Sequence, residues 1–222
     1  MTIHARYIKP NMQIIHVNDQ EVQFMLSPLE KGFGMPFANL LRRVLLRYTP
    51  GIGIIGLSIK GIDNIHPYTK IPGVKEDVAE MLSNLRSILI QRYKGDTLSM
   101  CIEKKGPSII LAKDIQHDEH TVIINQEQYV CTLDTEAQVF ITIYGNIGYG
   151  FVPSSYHGYQ KNIMFCDTVY TPIKHVSFYT RTYVTYEEVI FNVQTNGTCL
   201  PIDAVKNAFI FLNAKTDLPI IK

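Results

Sequence analysis

Residues 29–51 read LEKGFGMPFANLLRRVLLRYTPG, and they contain the transition that decides the fold. Gly32-Phe33-Gly34 interrupts the preceding strand-like run. Pro36 suits a first helical turn, where a missing N–H costs nothing, and Pro50-Gly51 stops the helix after Tyr48. Between these signals Phe37, Leu41, Val44 and Tyr48 recur at i, i+4, i+7 and i+11, flanked by Leu40 and Leu45. That stripe is enough to seat the helix on a sheet or on a partner helix. The far side carries a second stripe, Asn39, Arg43 and Leu46. Periodicity leaves it open between a solvated face with one stray leucine and a partner face, in which arginine is enriched.

Outward from this helix the pattern is mostly β. Val22–Leu26, Ile54–Ile62, Gln91–Glu103, Ser108–Leu111, Thr121–Ile124, Gln128–Leu133 and Val139–Tyr144 are rich in β-branched and aromatic residues, many with turn residues between them. Phe178–Thr195 alternates as a long hairpin would. A second helix is expected after Pro72-Gly73, from Val74, Val78, Met81, Leu82, Leu85, Ile88 and Leu89. A third begins near Pro201, stacks Val205, Phe209 and Leu212, and fails by Asp217-Leu218-Pro219. The expected class is α+β, with antiparallel sheet dominating and few helices.

With 222 residues, 46% hydrophobic and 18% charged, the chain can bury a substantial core. A net charge of +1 gives it no strong global attraction to nucleic acid or anionic membrane. Cys101, Cys131, Cys166 and Cys199 are far apart and form no CxxC pair, which argues for reduced thiols rather than structural zinc or a disulfide framework. No apolar run is long enough for a membrane span, and Met1 to Asp19 lacks a signal or transit pattern. Gly32-Phe33-Gly34 lacks the third glycine of a dinucleotide fingerprint and any Walker lysine, so a packing turn is expected in preference to a nucleotide loop. Gly145–Gly150 leads into the extended Phe151-Val152-Pro153 and reads as an exposed, shaped loop. His117-Asp118-Glu119-His120 is dense in potential metal ligands but has no fourth ligand nearby, and reads as a solvated turn. Asn196-Gly197-Thr198 reads as a turn into the third helix. No catalytic, cofactor or metal site is assigned.

Several blocks carry a more specific signal: Leu29–Gly34, Asn39–Leu46 with Pro50-Gly51, Tyr68-Thr69-Lys70, Gly73–Asp77, Asn84-Leu85-Arg86, Gly148–Ser154, Tyr170–Ile173, and Thr195–Thr198 followed by Pro201 and Ala204. In order and spacing, from about Val22 to Leu212, the chain resembles the alpha subunit of bacterial and plastid DNA-directed RNA polymerases. The resemblance implies a non-catalytic scaffold that dimerises and nucleates assembly of the beta and beta-prime subunits, meeting DNA only through the assembled enzyme, with no membrane role. It implies a dimerisation subdomain of residues 1–50 with 178–222, interrupted by a β-rich subdomain of residues 51–177. It also implies contact residues: Asn39, Arg43, Leu46, Gly148, Tyr149, Gly150, Val152 and Pro153 for beta, and Arg86 with Tyr170 and Pro172 for beta-prime. Phe37, Leu41, Val44, Tyr48, Val205, Phe209 and Leu212 are expected at the dimer interface, where the first and third helices pair.

Three departures accompany the resemblance. Ala38 stands where the family usually has a glycine before Asn39, the third helix is expected to be short, and, because the sequence ends at Lys222, the promoter and activator roles of the family's carboxy-terminal DNA-binding domain are not expected of it. Abundant isoleucine, tyrosine, lysine and asparagine without tryptophan fits AT-rich coding, so a plastid is expected and a bacterial cytoplasm is the alternative. Two other functional readings stay open here: one half of an archaeal or eukaryotic-style alpha-like heterodimer, and a small nucleotide-binding enzyme using Gly32–Gly34.

Overall fold

The computed structural model of the chain describes residues 9–216. In chain order they form β1 (Asn11–Val17), β2 (Glu21–Leu29), α1 (Gly34–Tyr48), β3 (Pro50–Ile59), α2 (Val78–Arg86), β4 (Ile90–Arg92), β5 (Thr97–Lys105), β6 (Ser108–Leu111), β7 (Thr121–Ile123) and β8 (Tyr129–Leu133). There follow β9 (Gln138–Tyr149), β10 (Phe151–Val152), β11 (Met164–Phe165), β12 (Thr168–Val169), β13 (Ile173–Thr182), β14 (Glu187–Thr195) and α3 (Pro201–Thr216). All the strand pairings among the described residues are antiparallel, and the class is α+β as expected.

The backbone separates into two compact units. A terminal unit joins residues up to Thr49 with those from Thr171 onward, and an inserted unit comprises Pro50–Tyr170. The second junction falls ahead of position 178, because Ile173 and Val176 already pair with Thr195 and Val193 of β14.

In the terminal unit the sheet runs β1-β2-β14-β13. Val22, Phe24 and Leu26 of β2 and Val189, Phe191 and Val193 of β14 alternate inward. They meet Ala38, Leu41, Val44 and Leu45 of α1 and Ala204, Val205, Ala208 and Leu212 of α3. Phe24 and Phe191 stack at 5.0 Å across neighbouring strands. Burying each ring contributes about 1.5–3 kcal/mol, and such a pair adds roughly 0.5–1.5 kcal/mol. Strand β1, which no alternation signal announced, is exposed along its whole length and bulges between Ile14 and His16. A bulged edge resists pairing with another sheet edge. Asn18 closes the β1–β2 turn, its Oδ1 accepting from the amides of Gln20 and Glu21 at 2.9 and 2.6 Å.

In the inserted unit the main sheet runs β11-β3-β9-β5, with the short pairs β10-β12, β4-β7 and β6-β8 beside it. Leu57, Met81, Leu85, Ile102, Ile110, Val130, Ile141 and Ile143 lie at the centre of its own core. Helix α2 is shorter than expected. Asp77 takes the N-cap and forms a reciprocal capping box with Glu80, so Val74 lies outside the helix and bridges to Leu133 instead. Gln91–Glu103 is two strands rather than one, because Gly95 at φ +84° turns the chain and its carbonyl accepts from Arg92 Nε at 3.1 Å. Gly145–Gly150 is not an exposed loop. It continues β9 as far as Tyr149, paired with Pro50–Ile54 of β3. Helix α3 runs to Thr216, and its expected stop at Asp217-Leu218-Pro219 lies outside the described residues.

Candidate functional site

The start of α1 has neither a capping side chain at Phe33 nor an acidic residue in its first turn. Its exposed amides are met from elsewhere: Gly34 N donates to Glu187 Oε2 at 2.9 Å, from the first residue of β14. The amides of Gly32 and Gly34 together pull the Glu187 carboxyl below its ordinary value, with Thr182 and the charge of Lys31 adding to the effect. A Cβ on Gly34 would lie 2.7 Å from that oxygen. The GFG turn is therefore an anion-binding helix start filled by the chain's own carboxylate, which accounts for its glycines without a nucleotide. At the other end Thr49 turns extended and its Oγ1 donates to Leu45 O at 2.7 Å before Pro50 opens β3.

The sides of α1 differ sharply. Leu41, Val44 and Leu45 are fully or nearly fully buried against the unit's own sheet, as is Val205 of α3. The structure thus removes Leu41, Val44 and Val205 from the dimer surface implied above, because the stripe that carries them seats the helices on their own subunit. Phe37, Phe209 and Leu212 line an open, largely apolar groove of about 710 Å³ with Phe33, Leu40 and Ile210. Leu40 is 46% exposed and Ile210 65%. Tyr48 is exposed and stacks on Phe211 at 4.5 Å. Phe33 and Ile210 escaped the sequence reading and Leu40 entered it only as a flank of the core stripe, yet Phe33, Phe37 and Leu40 stand at i, i+4 and i+7, a signal that was available.

Asn39 and Arg43 lie exposed on α1, with Asn39 Nδ2 donating to Met35 O at 3.2 Å. Leu46 differs from them, being half-buried against the core. In the inserted unit the remaining implied beta contacts lie at the end of β9 and on β10. Tyr149 and Phe151 are exposed there, while Val152 and Pro153 are half-buried. Gly150 makes the turn between the strands at φ +60°. Gly148 serves a different purpose: a Cβ there would meet the Tyr170 ring at 2.7 Å. Tyr170, 3% exposed, lies against this glycine and Gly53, and its hydroxyl donates to Asn146 Oδ1 at 2.5 Å. Burial pushes its phenol up. Tyr170 is a core anchor and Pro172 is also buried, so neither offers the surface implied for beta-prime. Arg86 does remain exposed, and its charge helps to lower the Asp167 carboxyl, whose largest cause is the hydrogen bond from Ser154 N at 2.8 Å.

Other reactive groups are tied into structure. Glu76 accepts from Tyr129 Oη and from Thr132 N, the latter at 2.8 Å. Asp118 of the HDEH turn accepts from Arg92 Nη1 at 2.8 and 2.9 Å and from Thr121 Oγ1 at 2.5 Å. All four cysteines are free. Burial pushes the Cys131 thiol up to about 12 and those of Cys166 and Cys199 up to about 11.

The chain matches the family model of the RNA polymerase Rpb3/RpoA insert domain over residues 57–171. It is 30% identical over 220 residues to a DNA-directed RNA polymerase subunit alpha of Alkaliphilus oremlandii, covering 95% of this chain and 69% of that one. It is 32% identical over 219 residues to the DNA-directed RNA polymerase subunit alpha of Salinibacter ruber, covering 92% and 65%. The chain thus spans about two thirds of the length of these curated relatives, both of them bacterial.

Proposed function

The chain belongs to the family of DNA-directed RNA polymerase alpha subunits, and from that premise we propose that it is the scaffold on which the polymerase assembles. Two copies pair through α1 and α3, the beta subunit docks on Asn39, Arg43 and the tip of β9–β10, and the beta-prime subunit docks beside Arg86. The observation that carries this is the open apolar groove along α1 and α3, next to a helix surface that also presents Arg42, Arg43 and Arg47 to solvent. A face built from Phe33, Phe37, Leu40, Phe209 and Ile210 is costly to leave in water, and a second copy covers it with the same groups.

The chain supplies no catalytic group in this role. In support, Glu76, Asp118, Glu187 and the buried thiols are already engaged in hydrogen bonds or packing. The bacterial relatives favour a bacterial cytoplasm, whereas the plastid expectation rests on composition alone.

Light scattering at micromolar concentration tests the pairing, and a species of only 25.3 kDa would count against it. Capture of the beta subunit tests the scaffold role. Arg43 is exposed, so Arg43→Ala should change stability by about 0.5 kcal/mol or less. Loss of a charge pair with beta costs about 3–5 kcal/mol of association, roughly two to three and a half orders of magnitude. Full capture by the variant would remove Arg43 from the interface.

A further inference from the structure

We propose that Glu187 is a positioning residue for partner binding: its carboxylate latches the start of α1 to β14 and so sets the pose in which α1 presents its groove and its arginines. This deepens the scaffold assignment above and rests on it.

The geometry is specific to this one side chain. A helix start has amides that need acceptors, and they are usually met by a side chain close in sequence. Here Phe33 offers none and the first turn has no acid, so the acceptor comes from 153 residues away. Glu187 pairs in register with Leu29, the last residue of β2, and with Thr182, the last residue of β13. One carboxylate therefore joins the start of α1 to the place where β2, β13 and β14 come together. The two glycines suit the contact. Gly32 supplies a left-handed turn at φ +84°, and any Cβ on Gly34 would meet both Glu187 Oε2 and Val189 Cγ2. Phe33, between them, lines the groove, as do Phe37 and Leu40 one and two turns on. Arg43 follows on the same rigid helix.

Lys31 of the β2–α1 turn attracts the carboxylate. Glu188, the next residue, is engaged separately by Ser27 Oγ at 3.1 Å and Tyr183 Oη at 3.2 Å, opposite Arg181. A carboxyl held below the ordinary glutamate value of 4.5 contributes stability that is present above that pH and lost as pH falls through the lower folded value.

The test uses the full chain labelled with ¹⁵N-glycine, beside Glu187→Gln and Glu187→Ala. In the wild-type protein the Gly32 and Gly34 amide signals should titrate together with a midpoint below 4.5, and in Glu187→Gln neither should. Removing a charge-assisted hydrogen bond at the helix start should weaken dimerisation and beta capture about tenfold in Glu187→Ala, with Glu187→Gln falling between. Amides that fail to titrate, or a folded Glu187→Ala that dimerises and captures beta like wild type, would overturn the latch. If Glu187→Ala does not fold, the glycine titration and the Glu187→Gln binding data decide. Failure of the wild-type chain itself to dimerise or capture beta would strike the scaffold assignment instead, since the titration stands apart from it.

Discussion

Leu40 and Leu41 are adjacent on α1, yet one faces the open groove and the other the core, so the same substitution should fail in different ways. Leu41 is 0% exposed. Truncating it to alanine removes close to its full transfer free energy and leaves a cavity in the core of the terminal unit, about 2–5 kcal/mol in all. For a chain of this size each kcal/mol lowers Tm by roughly 2–4 °C, so Leu41→Ala should melt on the order of 4–20 °C lower. Leu40 is 46% exposed. About half of the roughly 1.5–3 kcal/mol for a fully buried leucine is therefore still available for pairing. In a two-fold interface each substitution counts twice, so Leu40→Ala forfeits about 1.4–2.8 kcal/mol of association, roughly a ten- to hundredfold rise in the dimer dissociation constant. Sedimentation over a dilution series reads the second effect. Thermal melts read the first, at a fixed protein concentration because dimer stability depends on it. If Leu40→Ala melts like Leu41→Ala and still dimerises like wild type, the assignment of the two faces is wrong.

Three further perturbations test the inserted unit and the thiols. Tyr170→Phe removes the donor to Asn146 Oδ1 and should cost about 1–2 kcal/mol in urea unfolding. Gly148→Ala should cost at least as much, about 1–3 kcal/mol, since the new methyl meets the Tyr170 ring, and a neutral Gly148→Ala would mean that the ring is not seated as described. With an aromatic disulfide reagent at pH 8, half-buried Cys101 should react first. Cys131 and Cys166, buried and with thiols pushed up to about 12 and 11, should wait for unfolding, and half-buried Cys199, its thiol pushed up to about 11, should fall between. Rates at Cys131 and Cys166 equal to that at Cys101 would contradict the burial of these two sites.

The sequence by itself determined much of the local structure. Pro36 and Pro50-Gly51 bracket α1 within a residue or two of its observed ends, because these residues act on their own backbone. Runs of β-branched and aromatic residues between turn residues located most strands of the inserted unit. An ordered series of motifs also identified the family before any geometry was known. Strand β1 left no such trace, since both its faces are in solvent and nothing requires it to alternate. The tertiary structure alone decided what each apolar stripe touches. Periodicity reports that Leu41 and Val44 need cover, and it is silent on whether the subunit's own sheet or a second copy provides it. The roles of Glu187 at the GFG turn and of Tyr170 against Gly148 were likewise invisible. Each depends on atoms brought together from distant parts of the chain, and a hydrogen bond or a missing Cβ at one position carries no mark of the residue that will fill it.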